Sequence, residues 1–329
     1  MTAHGKAAVA LVTGGAGFIG SHLVERLLKD GYRVRVLDNF STGKRENLAE
    51  LQGALDVQEG SILDAAVLGR VCQGAEFIFH LAALPSVARS LKQPELTHEQ
   101  LVTGTLRVLL AAREAGVRRV VYGASSSAYG DIESDQKQES LPPQPISPYA
   151  AAKLAGEFYH QVFAQVYGLE TVSLRFFNVF GPKQDPDSEY AAVIPRFVKL
   201  MLADERPTIF GDGLQSRDFT FVANVVDGML LAAHAPAIRG QTINIATGER
   251  IRVVDLVQQI NAILGKQIDA IHDAPRTGDI RHSLANITMA KRLLGYQPRV
   301  SFSEGLQQTV AWFAERSKSE RSFAERNRQ

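Results

Sequence analysis

Tyr149-Ala-Ala-Ala-Lys153 sets a phenol and an ammonium four residues apart in a stretch whose pattern predicts a helix. At that spacing two helical side chains share a face. A phenol ionises near about pH 10, so a fixed cation beside it is the simplest way to make it a base at neutral pH. Taken alone, the pair fits an ordinary amphipathic helix equally well. Two further stretches turn the reading toward catalysis. Ser125-Ser126-Ser127 closes a strand-like run, and Thr13-Gly-Gly-Ala-Gly-Phe-Ile-Gly20 interrupts another near the start of the chain.

The elements that must position these residues follow from the pattern around them. Ala7 to Val12 is a short apolar run, Gly14, Gly17 and Gly20 form a loop, and Ser21 to Asp30 has a helical pattern. Glycines at that spacing let backbone amides and a helix N-terminus approach a pyrophosphate. A second strand, Tyr32 to Leu37, ends in Asp38, where a carboxylate can accept hydrogen bonds from an adenosine ribose. That acid would repel a 2′-phosphate and argues for NAD over NADP, with Arg33 and Arg35 turned to solvent or neighbouring charges. Further strands are predicted at Leu55 to Gln58, Glu76 to Leu81, Arg119 to Tyr122 and Thr171 to Phe176, separated by helical patterns. This alternation predicts an α/β fold with a doubly wound parallel (Rossmann) sheet. Right-handed crossovers bring the strand ends to one edge, so Leu81-Ala82-Ala83 and Ser125 to Gly130 should face the cofactor. Ser147 is the expected N-cap of the Tyr149 helix, with Pro148 in its first turn.

Beyond Phe177 the chain turns to loops and to helical stretches at Ala192 to Ala203, Asn224 to Ala235 and Val253 to Leu264. These predict a second, smaller mixed α/β domain for the substrate. Phe219 to Val222 and Thr242 to Ala246 are strand-like and could rejoin the sheet. The expected division is 1–180 as the NAD-binding domain with a returning segment at about 219–248, and 181–218 with 249–313 as the substrate domain. Residues 314–329, rich in Arg, Glu and Ser, are expected to be a solvated tail.

Composition narrows the partners. Lys and Arg number 36 against 35 Asp and Glu, so bulk charge offers no attraction to nucleic acid or to an acidic membrane. Cys72 is the only cysteine, which excludes an internal disulfide and suits a buried apolar site in a reducing compartment. No signal peptide or membrane span is expected, nor any metal, and a cytoplasmic enzyme is the expectation.

Together these residues spell a family. Thr13-Gly-Gly-Ala-Gly-Phe-Ile-Gly20, Leu37-Asp-Asn-Phe-Ser-Thr-Gly43, His80-Leu-Ala-Ala83, Ser125-Ser-Ser-Ala-Tyr-Gly130, Tyr149-Ala-Ala-Ala-Lys153 and Leu174-Arg-Phe-Phe-Asn-Val-Phe-Gly-Pro182 carry the likeness, which runs from Ala8 to Trp312. The chain resembles the extended short-chain dehydrogenase/reductases, specifically the NAD-dependent nucleotide-sugar 4-epimerases. Within them it looks most like the bacterial enzymes that interconvert UDP-N-acetylglucosamine and UDP-N-acetylgalactosamine.

The resemblance implies that Tyr149, as phenolate, takes the proton of the sugar 4-hydroxyl while the C4 hydride passes to NAD. The 4-keto sugar then turns over and receives the hydride on its other face. Lys153 would bond the nicotinamide ribose and, with the nicotinamide charge, hold the Tyr149 pKa down. Ser125 would hydrogen-bond the 4-oxygen, with Ser126 as substitute. The implied cofactor contacts are Gly14, Gly17, Phe18 and Ile19; Asp38, Asn39, Phe40, Ser41 and Gly43; Ser61 and Ile62; Leu81, Ala82 and Ala83; Gln100; and Phe177. For the substrate, Arg217 and Arg276 would grip the diphosphate, a task suited to the guanidinium fork, and Asp279 would bond the uridine ribose. Thr208 and Phe210 resemble the uracil shelf, Asn178 a substrate amide position, and Ala192 and Val193 the backbone beneath the sugar. Ser283, with Ser86 and Ala192, leaves room for a C2 acetamido group, so N-acetylated sugars are expected, with plain hexoses as poorer substrates. A homodimer through helices near Thr97 to Ala115 and Ala150 to Tyr167 is also implied.

Three positions depart from the family pattern. Ser61 replaces an acid that contacts adenine, Leu101 replaces an asparagine and leaves Gln100 as the nearest amide, and Pro85 replaces a glycine or lysine. Among rivals, a 4,6-dehydratase would want an acidic pair where Ser126 and Ser127 stand. A noncatalytic NAD(H)-binding regulator would have lost the base. UDP-glucuronate 4-epimerisation, or a related NAD-dependent UDP-sugar reaction, stays as the alternative, with Arg89 as a candidate cation near C6.

Overall fold

A seven-stranded sheet organises the computed structural model, which describes residues 7–187, 192–236, 238–275 and 281–326. The first part of the chain runs β1 (Val9–Thr13), α1 (Phe18–Lys29), β2 (Arg33–Asp38), α2 (Glu46–Ala49), β3 (Leu55–Glu59), α3 (Ala65–Cys72), β4 (Phe77–His80), α4 (Val87–Lys92), α5 (Pro94–His98), α6 (Gly104–Glu114), β5 (Arg119–Ser125), α7 (Pro148–Tyr167) and β6 (Glu170–Phe176). A π turn, Glu99–Thr103, joins α5 to α6, and a turn of 3-10 helix, Ser126–Tyr129, follows β5. The second part runs β7 (Val179–Phe180), α8 (Val193–Leu202), β8 (Thr208–Phe210), β9 (Ser216–Arg217), β10 (Thr220–Phe221), α9 (Val222–His234), β11 (Gln241–Ile245), β12 (Ile251–Arg252), α10 (Val253–Leu264), β13 (Ile271–Asp273), α11 (Thr288–Leu294) and α12 (Phe302–Arg326).

Strand order in the sheet is β11-β6-β5-β4-β1-β2-β3, with every neighbour parallel. The order reverses at β1 and β4, and a crevice opens where their carboxyl ends diverge. Central strands are buried because helices cover both faces: all of Phe77–His80 is buried, whereas the edge strand β3 is mostly exposed. Along β1 the side chains alternate between the two cores. Ala10 and Val12 pack with α1, α9 and α11, and Leu11 with α3, α6 and α7. Cys72 is fully buried in the second of these, and burial pushes its thiol up to about 12.

The helix that carries the tyrosine starts as expected. Ser147 Oγ accepts from Ala150 N at 3.1 Å with Pro148 in the first turn, a cap worth about 1 kcal/mol. It stops at Gly168, whose φ of +72° a side chain would resist. A smaller body forms around α8, α10 and α12, with Phe197, Met201, Leu256, Ile260 and Leu306 inside it.

The division departs from expectation in three places. Gln241–Ile245 does join the sheet beside β6, but Thr220–Phe221 pairs with β7 in a separate ladder, since α9 begins at the next residue and leaves no length to reach the sheet. α11, expected with the substrate domain, buries Ala290 and Leu294 in the core beneath α9 and β11. The expected tail from residue 314 continues α12 as helix to Arg326, and Arg316 pairs with Glu46 of α2 at 3.0 Å. No helix among the described residues is long and apolar enough to cross a membrane, and no acidic, His or Cys group among them could hold a metal.

Candidate active site

The crevice is floored by the glycine loop. Gly14 takes φ +72° and lies so close to the loop after β4 that a Cβ there would sit 2.7 Å from Ala82 N. Leu81 N donates to Thr13 O at 3.1 Å and Ala82 N to Thr13 Oγ1 at 3.3 Å, so the two loops are seated as one. A Cβ at Gly20 would lie 2.1 Å from Gly14 O, which fixes how closely α1 approaches the loop. The first turn of α1, with Phe18 and Ile19, has Gly17 as N-cap, no side-chain cap and no acid, so its positive end suits an anion.

Asp38 sits where the ribose contact is expected. Its carboxylate accepts from Ala16 N at 2.9 Å and Phe40 N at 2.8 Å, and a Cβ at Gly43 would lie 2.9 Å from both its oxygens. Asn39 Oδ1 accepts from Ser41 N and Oγ, and Phe40 carries the Arg45 guanidinium over its ring at 4.0 Å. Arg35 turns away, toward Asp56 at 3.6 Å and the carbonyls of Val71 and Gln73. Loop closeness, an uncapped helix end and this acid fit a dinucleotide without a 2′-phosphate. Ser61 Oγ accepts from Leu63 N at 3.1 Å, and Ile62 lies against Gly104.

Gln100 stands in the π turn, Glu99–Thr103, next to Leu101. The π turn carries an extra residue and rotates the helix face, so Leu101, 1% exposed, packs with Leu84, Ala152, Ala83 and Tyr149. Gln100 takes the adjacent, half-buried position. Phe177 is fully buried beside Tyr129, so any contact with cofactor must come from its main chain.

Opposite the loop, the first turns of α7 deliver Tyr149 and Lys153. Burial raises the Tyr149 pKa, and a hydrogen bond with Ser125 draws it back. Lys153 Nζ donates to Gly123 O at 2.7 Å and lies 4.8 Å from the Tyr122 ring centre. Burial lowers the Lys153 ammonium to about 8, with the Glu157 charge opposing. In the protein alone desolvation outweighs the Ser125 contact and holds the Tyr149 phenol above its ordinary range, whereas the expected lowering by Lys153 together with the nicotinamide charge concerns the cofactor-bound site. Ser125 Oγ accepts from Ser127 N at 3.2 Å and from Ser127 Oγ at 2.8 Å, while Ser126 opens the turn that follows.

Behind this pair lies an ionic group that motif reading missed. Glu157, one turn beyond Lys153, receives Arg175 Nε at 2.9 Å and Arg175 Nη2 at 2.7 Å, with both side chains buried. The Arg175 guanidinium lies 4.4 Å over Tyr129, whose hydroxyl donates to Asn244 Oδ1 at 2.8 Å. The spacing of Lys153 and Glu157 on one helical face was the available signal.

The far wall converges on Asp218, also unforeseen. Its carboxylate accepts from Thr247 N and Oγ1, Gly248 N and Ala285 N, and its carbonyl accepts from Asn178 Nδ2 at 3.1 Å. This ties together the strand of Arg217, whose guanidinium donates to Ser216 O at 2.9 Å, and buried Ser283, whose N donates to the same carbonyl at 3.1 Å. Ala192 and Val193 open α8, Thr208 and Phe210 lie on β8, and Ser86 caps α4 by accepting from Arg89 N. Arg276 and Asp279 lie outside the described residues.

Three comparisons bear on this geometry. The profile of the NAD dependent epimerase/dehydratase family matches residues 10–246. The UDP-glucose 4-epimerase of Mycolicibacterium smegmatis is 42% identical over 311 residues, covering 93% of this chain and 99% of that one. The UDP-N-acetylglucosamine 4-epimerase of Methanobrevibacter ruminantium M1, solved with UDP-N-acetylmuramic acid, matches at TM-score 0.91 and 38% identity over 94% of this chain and 99% of its own. The UDP-glucose 4-epimerase of Thermus thermophilus, solved with NAD, matches at TM-score 0.84 and 35% identity, covering 93% and 98%.

Proposed function

This chain belongs to the NAD dependent epimerase/dehydratase family and uses NAD, and from that premise we propose that it is a UDP-sugar 4-epimerase whose preferred pair is UDP-N-acetylglucosamine and UDP-N-acetylgalactosamine. The observation that carries the chemistry is the half-buried Tyr149 phenol beside Ser125, a helical turn from Lys153. Bound NAD supplies the acceptor and then the donor for the C4 hydride. Tyr149 takes the 4-hydroxyl proton and returns it to the epimer, so no net oxidation results. Ser125 donates to the 4-oxygen as its charge develops. Lys153, still charged near neutrality, holds the nicotinamide ribose. Arg217, with Arg276 and Asp279, holds the UDP half while the 4-keto sugar turns.

The acetamido preference rests on small residues at the sugar seat, Ser86, Ala192 and Ser283, and on the Methanobrevibacter ruminantium relative named for that sugar. Plain hexoses are the second substrate class, favoured by the relatives named for UDP-glucose. Proton NMR of the purified protein with UDP-N-acetylglucosamine, and separately with UDP-glucose, tests both. Galacto epimers without net NADH support the reading. Turnover of UDP-glucuronate alone would replace it with the uronate alternative, for which Arg89 is the residue to substitute.

The working unit is proposed to be a homodimer. Phe158, Val162 and Val166 lie one turn apart on α7 and are 54%, 45% and 67% exposed, an apolar stripe suited to a second copy. Sedimentation of Val162→Asp as a monomer, beside a dimeric parent, is the expected result, and a monomeric parent would remove the assignment.

A further inference from the structure

We propose that Ser127 is a positioning residue that fixes the polarity of Ser125, holding its hydroxyl as a donor toward Tyr149 and the sugar 4-oxygen. The inference rests on the roles of Tyr149 and Ser125 read above. A serine hydroxyl has one proton to give and two lone pairs to receive. At Ser125 both are filled from a single residue: Ser127 N–H reaches Oγ at 3.2 Å and Ser127 O–H at 2.8 Å. The capacity left to Ser125 is its own proton. A hydroxyl so held bonds phenolate and alkoxide, the two anions of proton transfer, more strongly than the protonated phenol.

Ser127 cannot swing away from this task. Its turn is pinned downstream, where Ala128 is fully buried with its carbonyl accepting from Gln144 N at 2.9 Å, and Tyr129 OH is bound to Asn244. Upstream, Ser125 is locked in β5 opposite Phe176. The groups around Tyr149 are few. Ser125 and Tyr122 face it from β5 and Lys153 stands one turn on, while Ala83 and Leu84, and Leu101 and Val102, close the other sides with apolar surface. No other side chain in this set replaces the polarity that Ser127 sets.

Ser127→Ala keeps the backbone donor and removes the hydroxyl, so Ser125 regains an open lone pair and can accept from the phenol. The expected result is a fall of about tenfold in kcat with KM within about twofold, and recovery to within about threefold in Ser127→Thr, which restores the hydroxyl. Ser127→Cys, similar in volume with a weak donor, falls between the two. An independent readout is the ultraviolet phenolate titration of the purified protein, with the Tyr149→Phe titration subtracted. There Ser127→Ala should move the Tyr149 midpoint up by about one unit. This second measurement needs no turnover, so it separates failure of the inference from failure of the epimerase reading. The proposal is overturned if Ser127→Ala leaves kcat and the midpoint at parental values. It is equally overturned if Thr, Cys and Ala variants are impaired alike, which is the mark of a residue that merely holds the turn.

Discussion

Replacing Lys153 with methionine should make the protein more stable and inactive. Burial takes the ammonium from 10.5 to about 8, a depression of about 2.5 units. At about 1.4 kcal/mol per unit, keeping the charge inside the fold costs about 3 kcal/mol at neutral pH. Methionine has similar length and no charge. It forfeits the bond to Gly123 O, about 1 kcal/mol, and some of the support that Lys153 lends to the Glu157 charge. The net gain is then about 1–2 kcal/mol, or a few degrees in Tm. The pH dependence gives the sharper check. Because the folded pKa lies below the unfolded one, the unfolded chain binds the extra proton between about pH 8 and 10.5, and the parent gains stability as pH rises through that window. Lys153→Met has no such gain, so urea midpoints of the NAD-free proteins should differ at pH 7 and converge near pH 10. Turnover should fall at least about 10²-fold. A variant less stable than the parent at pH 7, or a gap that widens with pH, would refute the desolvation argument.

Other substitutions probe the remaining parts. Arg175→Met strands the Glu157 carboxylate in the core and should cost about 3–5 kcal/mol by urea titration, much of it recovered when Glu157→Gln is added. With its partner gone the folded Glu157 pKa rises further, so the variant should lose stability as pH climbs above the unfolded carboxylate range; a pH-independent loss would point to packing instead. Gly20→Ala would drive a methyl to 2.1 Å from Gly14 O, and calorimetry should show NAD affinity weakened at least about tenfold, against an unchanged affinity if the loop can yield. Ser283→Tyr should suppress turnover of N-acetylated UDP-sugars well below that of UDP-glucose, and equal effects on both would disconnect Ser283 from the C2 substituent.

What the sequence made legible is local. A glycine loop, an acid closing the second strand and a capped helix bearing Tyr149 each occupy one contiguous stretch, so their side chains are related by element geometry alone. What it hid depends on distance or on one-residue shifts. The Glu157–Arg175 pair is separated by 18 positions and Tyr129–Asn244 by 115, spans over which no periodicity speaks. The π turn at Glu99–Thr103, which no periodicity announces, turns Leu101 into the core beside half-buried Gln100, and the short span before α9 kept β10 out of the sheet. These hidden contacts also change how the visible motif works. Lys153, Glu157 and Arg175 together leave one uncompensated positive charge in a buried site. The protein alone tolerates it by depressing Lys153, and desolvation keeps Tyr149 protonated. A phenolate at Tyr149 is the anion that would balance this group, and a positive nicotinamide ring makes it more favourable still. Charge balance across the whole buried group, beyond the tyrosine–lysine spacing that first draws the eye, is what prepares this site to take a proton when cofactor is in place.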